Sequence, residues 1–122
     1  MARVCEVCGK VVGFVKLVEF NISAVRYGCI LWIAVHPEFR RCGLALELTR
    51  ASVEFFRSRR SHAIFASTQL RNIGAQASLT CAGFERVGFV DLWRRFGWCV
   101  FGFYAAIWYA PGEVVFLRCM DW

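Results

Sequence analysis

The pattern of apolar positions predicts three strands in the first part of the chain. They are Val11 to Phe20, Cys29 to Val35 and His62 to Ser67, which are rich in β-branched and aromatic residues. The run from Cys29 to Val35 has no polar position except its cysteine, as expected for a strand buried on both faces of a sheet. Pro37 follows this run and marks its end.

A helical period separates the second strand from the third. Leu44, Leu48, Ala51 and Phe55 recur at i, i+4, i+7 and i+11. This spacing places their side chains on one face of a helix, which the pattern predicts from Gly43 to Arg57.

A second helix, from Ile73 to Cys81, is predicted by its flanking residues. Asn72 is a favourable N-cap, and Gly83 is placed to close the helix in the left-handed conformation. Strands and helices therefore alternate in the centre of the chain. Such an alternation predicts parallel strands joined by a right-handed crossover helix, with ligands bound at the carboxyl ends of the strands.

The last part of the chain is predicted to contain strands. These are Phe84 to Leu92, Gly97 to Tyr109 and, after a turn at Pro111 and Gly112, Val114 to Arg118. The 17 residues from Phe96 to Gly112 carry no charge, whereas a transmembrane helix needs roughly 20 apolar residues. Glycine, proline and aromatic residues favour a strand that enters a turn, and a membrane anchor over 96–112 is the alternative.

Composition predicts a single domain over residues 1–122. Hydrophobic residues make up 58% of the chain and the mean hydropathy is +0.47, which excludes a disordered class and indicates either a dense core or an exposed apolar surface. A homo-oligomer would cover such a surface.

The net charge is +6, and 13 of the 15 basic residues are arginine. Arginine matches phosphate geometry, so the charge favours an anionic ligand. The arginines cluster around one loop and helix and do not alternate with aromatic residues, which disfavours nucleic acid.

Cysteine usage indicates a reducing compartment. The seven cysteines are an odd number, and no charged and then apolar leader is visible, so we expect reduced thiols and a cytoplasmic location. Cys5 and Cys8 have the spacing of half a zinc site, but no second pair follows. No metal is predicted.

The stretch from Arg40 to Ala45 has the composition of a phosphate-binding turn. The N–H groups at a helix N-terminus have no internal partners, and they can bind a phosphate that the backbone approaches closely. Gly43 permits this approach, while Arg40 and Arg41 add electrostatic attraction. The alternative is an ordinary strand-to-helix loop with a solvated basic pair.

Several motifs in order resemble the GNAT superfamily of acyl-CoA-dependent N-acetyltransferases. "VHPEFRRCGLALEL" resembles the acyl-CoA loop of the family, Arg/Gln-x-x-Gly-x-Gly/Ala, at Arg40, Gly43 and Ala45. Downstream, "NIGAQASLTCAGF" resembles the Asn-x-x-Ala and Gly-Phe elements that follow it.

The resemblance implies an α/β (α+β mixed) fold of the GNAT type. It has a mixed, mostly antiparallel sheet, a splayed central parallel strand pair and flanking helices. The family has a further strand and helices before the "GKVVGFV" strand, and we expect this chain to lack them. The implied activity is that of an acyltransferase that moves acetyl from acetyl-CoA, as co-substrate, to a primary amine.

Roles for particular residues follow from the same resemblance. The backbone around Gly43 would hold the CoA pyrophosphate, the strand up to Val35 would pair with the pantetheine arm, and Asn72 would touch the cofactor or orient the acyl region. The implied cofactor-binding residues are Ile33, Ala34, Val35, Arg40, Arg41, Cys42, Gly43, Leu44, Ala45 and Asn72.

The catalytic residues are not predicted by the motifs. The family often has a tyrosine seven residues after the asparagine, where Leu79 stands here and cannot donate a proton. The weak candidates are His36, Tyr104 and Tyr109. This departure leaves a second hypothesis open, an acyl-CoA-binding or regulatory module without catalysis.

Overall fold

The computed structural model describes residues 2–7, 10–22, 24–35, 43–106 and 112–120. Six strands and four helices lie in these ranges. In chain order they are β1 (Ala2–Val7), β2 (Lys10–Ile22), β3 (Val25–Val35), α1 (Leu44–Ser58), β4 (Ala63–Gln69), α2 (Ile73–Cys81), β5 (Glu85–Val87), α3 (Phe89–Phe96), α4 (Cys99–Ala106) and β6 (Glu113–Cys119).

The strands form one mixed sheet in the order β1-β2-β3-β4-β6-β5. Only β3 and β4 are parallel, and every other neighbouring pair is antiparallel. The predicted mixed, mostly antiparallel sheet with a central parallel pair and flanking helices is therefore confirmed. The expectation that the chain lacks a strand before the "GKVVGFV" strand was wrong, because β1 pairs antiparallel with β2 at the edge of the sheet.

Both faces of the central strands are buried, which explains their continuous apolar runs. Ile64 and Ala66 on β4 belong to the cluster that α1 and α2 cover. Their neighbours Ala63 and Phe65 belong to the cluster beneath α3 and α4. Because side chains alternate along a strand, the two helix pairs lie on opposite faces of the sheet.

Helix α1 is confirmed, but the face that it buries was predicted wrongly. Ala51 is exposed, whereas Thr49 and Ser52 are fully buried. Their hydroxyls donate to the carbonyls of Ala45 and Leu48, each over 2.7 Å, so they enter the core without unpaired polar atoms. The sequence pattern counted both residues as polar and placed the apolar stripe one position away.

Helix α2 ends as the sequence predicts. Gly83 has a φ of +92°, and the N–H of Phe84 donates to the carbonyl of Leu79 over 3.0 Å. The N–H of Gly83 donates to Thr80 over 3.1 Å. These two bonds form a Schellman motif, which requires the left-handed residue at this position.

The two strands predicted between Phe84 and Tyr109 were wrong. Among the described residues of this range only Glu85–Val87 is a strand, and Phe89–Phe96 and Cys99–Ala106 are helices separated at Gly97, whose φ is +61°. Val100 and Phe103 have no solvent exposure and lie three residues apart, which is a helical spacing. Burial of these side chains on the sheet outweighs the strand propensity of the aromatic residues. Among the described residues, no helix has both the length and the apolar character needed to cross a bilayer.

The buried thiol of Cys29 predicts a loss of stability at alkaline pH. Burial raises the pKa of Cys29 from 9.0 to about 12. The neutral thiol is favoured in the folded state, so its stabilising contribution is complete below pH 9 and is lost as the pH rises towards 12. At pH 11 the free energy of unfolding should fall by roughly 2–3 kcal/mol from this group.

The measurement is denaturant unfolding between pH 8 and pH 11 of the wild type and of Cys29→Ala. Because alanine does not titrate, the difference in unfolding free energy between the two proteins should shrink as the pH rises. If the difference in unfolding free energy stays constant with pH, ionisation of Cys29 does not lower the stability by this amount.

Candidate functional site

The parallel strands β3 and β4 separate at their carboxyl ends. Their ladder covers Tyr27–Ile30 and Ala63–Ala66, whereas β3 continues to Val35 and β4 to Gln69. Beyond Ile30 and Ala66 the two strands therefore form no ladder with each other. An extended ligand with amide groups can enter such a gap and hydrogen-bond to the strand edges as an additional strand would. The splay implied by the family resemblance is present.

A β-bulge accompanies the separation. On the β2 side of β3, Lys16 pairs with Trp32 and Leu17 with Ile30, so Leu31 is the extra residue. A bulge bends the strand and increases its local twist. Leu31 directly follows the last residue that pairs with β4, so the bend coincides with the start of the gap. No turn-forming residue marks this position in the apolar run, and the bulge was not predicted.

Helix α1 begins beside the end of β3 in a conformation that suits an anionic ligand. Gly43, its N-cap, has a φ of +79° and is exposed. A Cβ at this position would meet no described atom within 4 Å. Glycine also has no side chain that could cap the first N–H groups of the helix. These groups belong to Leu44, Ala45 and Leu46. Open space, a positive helix end and a left-handed glycine are the elements of a phosphate-binding turn.

Helix α2 begins at the same edge of the sheet, after β4. The side-chain oxygen of Asn72 accepts from the N–H of Ala75 over 3.2 Å and caps this helix. The Asn72 N–H donates to the carbonyl of Gln69 over 3.0 Å, and the Gln76 amide donates to the carbonyl of Leu70 over 2.6 Å. These bonds hold Asn72 at the end of β4. Its side-chain NH₂ can still donate to a ligand, because the cap uses only the oxygen.

The candidate cofactor-binding residues therefore fall into three groups. Ile33, Ala34 and Val35 lie on β3 beyond its pairing with β4, Gly43, Leu44 and Ala45 start α1, and Asn72 starts α2. All three groups are at the edge of the sheet where the parallel strands end, which is the position expected for a ligand in this arrangement. Arg40, Arg41 and Cys42 lie outside the described residues.

Of the candidate catalytic residues, Tyr104 is the one that lies within the described part of the chain. His36 and Tyr109 lie outside the described residues. Tyr104 is on helix α4 and not on a strand, half-buried with its ring centroid 5.9 Å from that of Phe89. It packs against the cluster beneath α3 and α4, on the face of the sheet opposite to α1.

Leu79 is part of the core under α2. Its side chain is 3% exposed and belongs to the cluster that includes Ala82 and Phe84. Thr80, next to it, donates its hydroxyl to the Gln76 carbonyl over 2.9 Å. The position at which the family resemblance expects a proton donor is therefore an ordinary packing position.

Three polar residues that sequence analysis did not single out line the other side of the gap. Ser67, Thr68 and Gln69 end β4 and pair with β6 along one edge only, because β3 has separated from the other. The sequence feature that could have identified these three residues is the change from apolar to polar side chains within β4. It begins directly after Ala66, where the parallel ladder stops. The sequence analysis had ended the strand at Ser67.

The sequence and the fold define the family. Residues 2–84 match the acetyltransferase (GNAT) family. The chain belongs to this family. No curated protein is similar enough in sequence to be matched to it.

Solved structures share the fold at low sequence identity. The IAA acetyltransferase from Bacillus cereus ATCC 14579 is 16% identical with a TM-score of 0.72, over 98% of this chain and 77% of that one. The ribosomal-protein-alanine N-acetyltransferase from Brucella melitensis is 18% identical with a TM-score of 0.67, over 98% and 68%.

A chain of the NatC complex bound to Gag peptide and CoA is 17% identical with a TM-score of 0.69, over 91% of this chain and 62% of that one. This chain thus spans less than two thirds of that protein's length. At these sequence identities, the structural similarity shows that the fold is shared.

Proposed function

We propose that this protein is an acetyl-CoA-dependent N-acetyltransferase that acts on a primary amine. The observation that carries the proposal is the separation of β3 from β4 beside a left-handed glycine at the start of α1. A peptide-like arm fits the gap and a pyrophosphate fits the helix end, and CoA has both groups in one molecule. Membership of the GNAT family and the CoA-bound NatC structure support the same ligand.

The chain supplies binding and orientation through its backbone. The first N–H groups of α1, from Gly43 to Ala45, hold the pyrophosphate, and Arg40, Arg41 and Cys42 belong to the same loop. The edge of β3 from Ile33 to Val35 pairs with the pantetheine arm. Asn72 donates its side-chain NH₂ to the acyl end of the arm.

The reaction forms one bond and breaks another. The neutral amine nitrogen attacks the thioester carbonyl carbon, the C–N bond forms and the C–S bond breaks. The nitrogen loses a proton, the CoA thiolate gains one, and the products are an acetamide and CoA. Strand N–H groups that polarise the carbonyl, together with the orientation of the two substrates, supply the rate acceleration.

Proton transfer distinguishes this chain from a GNAT family member that has a tyrosine at the position of Leu79. Leu79 cannot protonate the leaving thiolate, which is a good leaving group without help at neutral pH. In this proposal water carries the protons, and none of His36, Tyr104 and Tyr109 acts as the acid. The rate should then rise with pH as the acceptor amine becomes neutral, without a decline that reports a protein acid.

The test is a mass-spectrometric assay of acetylated product with a panel of polyamines, amino sugars, small amines and peptide N-termini. We expect acetyl transfer to one class of amine, with kcat/KM rising from pH 6 until the acceptor amine is neutral and without a decline up to pH 9. A bell-shaped profile would contradict the proposed absence of a protein acid. Failure of the folded chain to bind acetyl-CoA would contradict the proposed function itself.

The second candidate function is acyl-CoA binding without turnover. It is favoured by one observation, the burial of Leu79 in the core at the position of the expected acid. Saturable acetyl-CoA binding with no product from any amine would support this second function over catalysis. A cytoplasmic location fits both, since Cys29, Cys81, Cys99 and Cys119 are free thiols.

A further inference from the structure

The turn between β4 and α2 is held by a side chain that comes after it in the chain. Gln76 lies in α2, one helical turn after Asn72, and is half-buried. Its side-chain NH₂ donates to the carbonyl of Leu70 over 2.6 Å and to that of Gln69 over 3.4 Å. Because carbonyl oxygens can only accept, these two contacts fix the orientation of the Gln76 amide.

The contact of Gln76 with the turn does not serve to cap the helix. A helix start has N–H groups without partners, which a carbonyl and not an NH₂ would satisfy. In a capping box, the side chain at the third helical position reaches back to the N–H of the N-cap residue. Here that position is Ala75, and the Asn72 N–H donates instead to the carbonyl of Gln69 over 3.0 Å. Gln76 therefore acts on the chain that enters α2.

Further hydrogen bonds hold the turn on both sides of Asn72. The N–H of Leu70 donates to the carbonyl of Gly112 over 3.1 Å, which joins the turn to the residue before β6. The carbonyl of Asn72 accepts from the N–H of Gln76 over 3.2 Å. Its side-chain oxygen accepts from the N–H of Ala75 over 3.2 Å, so its NH₂ is the group that the cap leaves for a ligand.

The start of α2 has room beside it. Asn72 is exposed, and a Cβ at Gly74 would meet no described atom within 4 Å. A ligand group at the end of β4 therefore has space next to this helix start.

The bonds that Gln76 makes to the turn are more important for orientation than for stability. Both lie at the surface, where a hydrogen bond replaces one with water and contributes little to the free energy of unfolding. They do restrict the conformations that the turn can adopt. A donor that is already oriented does not lose this freedom again when a ligand binds, so the ligand binds more tightly.

We propose that Gln76 is a positioning residue that gives the site a preference for acyl-CoA over free CoA. This inference rests on the proposed function, in which Asn72 donates its NH₂ to the acyl end of the arm. Gln76 fixes the turn and thereby orients this donor before the ligand arrives. Free CoA ends in a thiol, which is a weak acceptor, so it gains little from the oriented NH₂. The site thus favours the substrate over the product that carries the same nucleotide and arm.

The test compares the affinities of the full chain for acetyl-CoA and for CoA by isothermal titration calorimetry. The measured quantity is the dissociation constant of CoA divided by that of acetyl-CoA. Gln76→Leu should lower this ratio about threefold and leave the affinity for CoA within about twofold. Gln76→Glu has the same shape but cannot donate, so it should lower the ratio equally. Gln76→Lys, whose ammonium can donate to the Leu70 carbonyl, should keep most of the wild-type ratio.

A double variant tests whether Gln76 acts through Asn72. Asn72→Ser keeps an N-cap oxygen but has no NH₂, and it should lower the ratio about fivefold. Adding Gln76→Leu to this variant should lower the ratio no further, because the donor that Gln76 orients is already gone.

Thr80→Val is the matched control. It removes a hydroxyl bond to the carbonyl of Gln76 over 2.9 Å within the same helix, but it leaves the contacts of the turn in place. This variant should keep the wild-type ratio.

Three results would overturn the inference and leave the proposed function standing. One is an equal loss of affinity for acetyl-CoA and CoA in Gln76→Leu, since the ratio would then be unchanged. Another is a further loss in the double variant, which would show that Gln76 acts independently of Asn72. The last is an equal fall of the ratio in Thr80→Val, which would trace the effect to the helix as a whole. A folded wild type that binds neither acetyl-CoA nor CoA would overturn the proposed function, and this inference with it.

Discussion

Replacement of Gly43 with glutamate should weaken acetyl-CoA binding about 100-fold or more. The carboxylate would stand at the N-terminus of α1, where the proposed pyrophosphate needs the N–H groups and the positive helix end. Since a Cβ at Gly43 meets no described atom within 4 Å, the side chain would occupy the proposed ligand volume without disturbing the described core. Isothermal titration calorimetry on the purified chain measures the effect.

Gly43→Gln is the matched control for this charge. Glutamine has the same shape and meets the same left-handed backbone, whose cost is about 1–2 kcal/mol for a residue with a Cβ. This backbone cost is present with and without ligand, so the glutamine variant should lose affinity through bulk alone, and the glutamate variant should lose clearly more. Equal losses in the two variants would mean that no anionic group of the ligand lies near this helix end.

Gly28→Ala should cost about 3 kcal/mol in the free energy of unfolding. Gly28 lies on β3 beneath α1, and a Cβ there would stand 2.5 Å from two ring atoms of Phe56. The Phe56 side chain has no solvent exposure, so its ring cannot move away without disturbing the core cluster around it. The melting temperature should fall by roughly 10 °C.

Phe56→Leu provides the internal test of this cause. Phe56→Leu by itself should lower the stability, because leucine leaves space in the core. In the double variant, that space accepts the Cβ that Gly28→Ala adds. The double variant should be more stable than the sum of the two single effects predicts. Additive losses would show that the Phe56 ring is not the obstacle.

Gly74→Ala is the matched control for the added methyl group. Gly74 lies in the first turn of α2, and a Cβ there would meet no atom of the described residues within 4 Å. Alanine also restricts the unfolded chain more than glycine does, so this variant should leave stability unchanged or slightly higher.

Local signals predicted the part of the fold that surrounds the candidate site. Gly83, Asn72 and Gly43 each have a backbone role that only a few residue types fill, so their positions indicated the ends of α1 and α2 before any packing was known. The separation of β3 from β4 was implied only by family resemblance. Nothing in the run from Cys29 to Val35 shows where its pairing ends, because that depends on β4, which is distant in sequence.

The hairpin of α3 and α4 shows why local pattern failed elsewhere. Its aromatic residues have strand propensity, and its two glycines favoured turns. Helix formation here depends on Leu92, Val100 and Phe103 reaching the sheet on one side, a tertiary effect that the sequence pattern does not contain. The same hairpin leaves Trp98 and Phe101 outside the core, although their aromatic character alone would predict burial.

The pairing of β4 has a consequence for the order in which the molecule is made. Ser67, Thr68 and Gln69 form one wall of the gap, and their ladder partner is β6, the last strand of the described chain. During synthesis this wall has no neighbouring strand until residues 113–115 have left the ribosome, more than 40 residues after β4 itself. A nascent chain that stops before β6 thus contains β3, β4, α1 and α2, but β4 lacks its antiparallel partner. The wall of the ligand site that β4 forms is therefore complete only after β6 has been made.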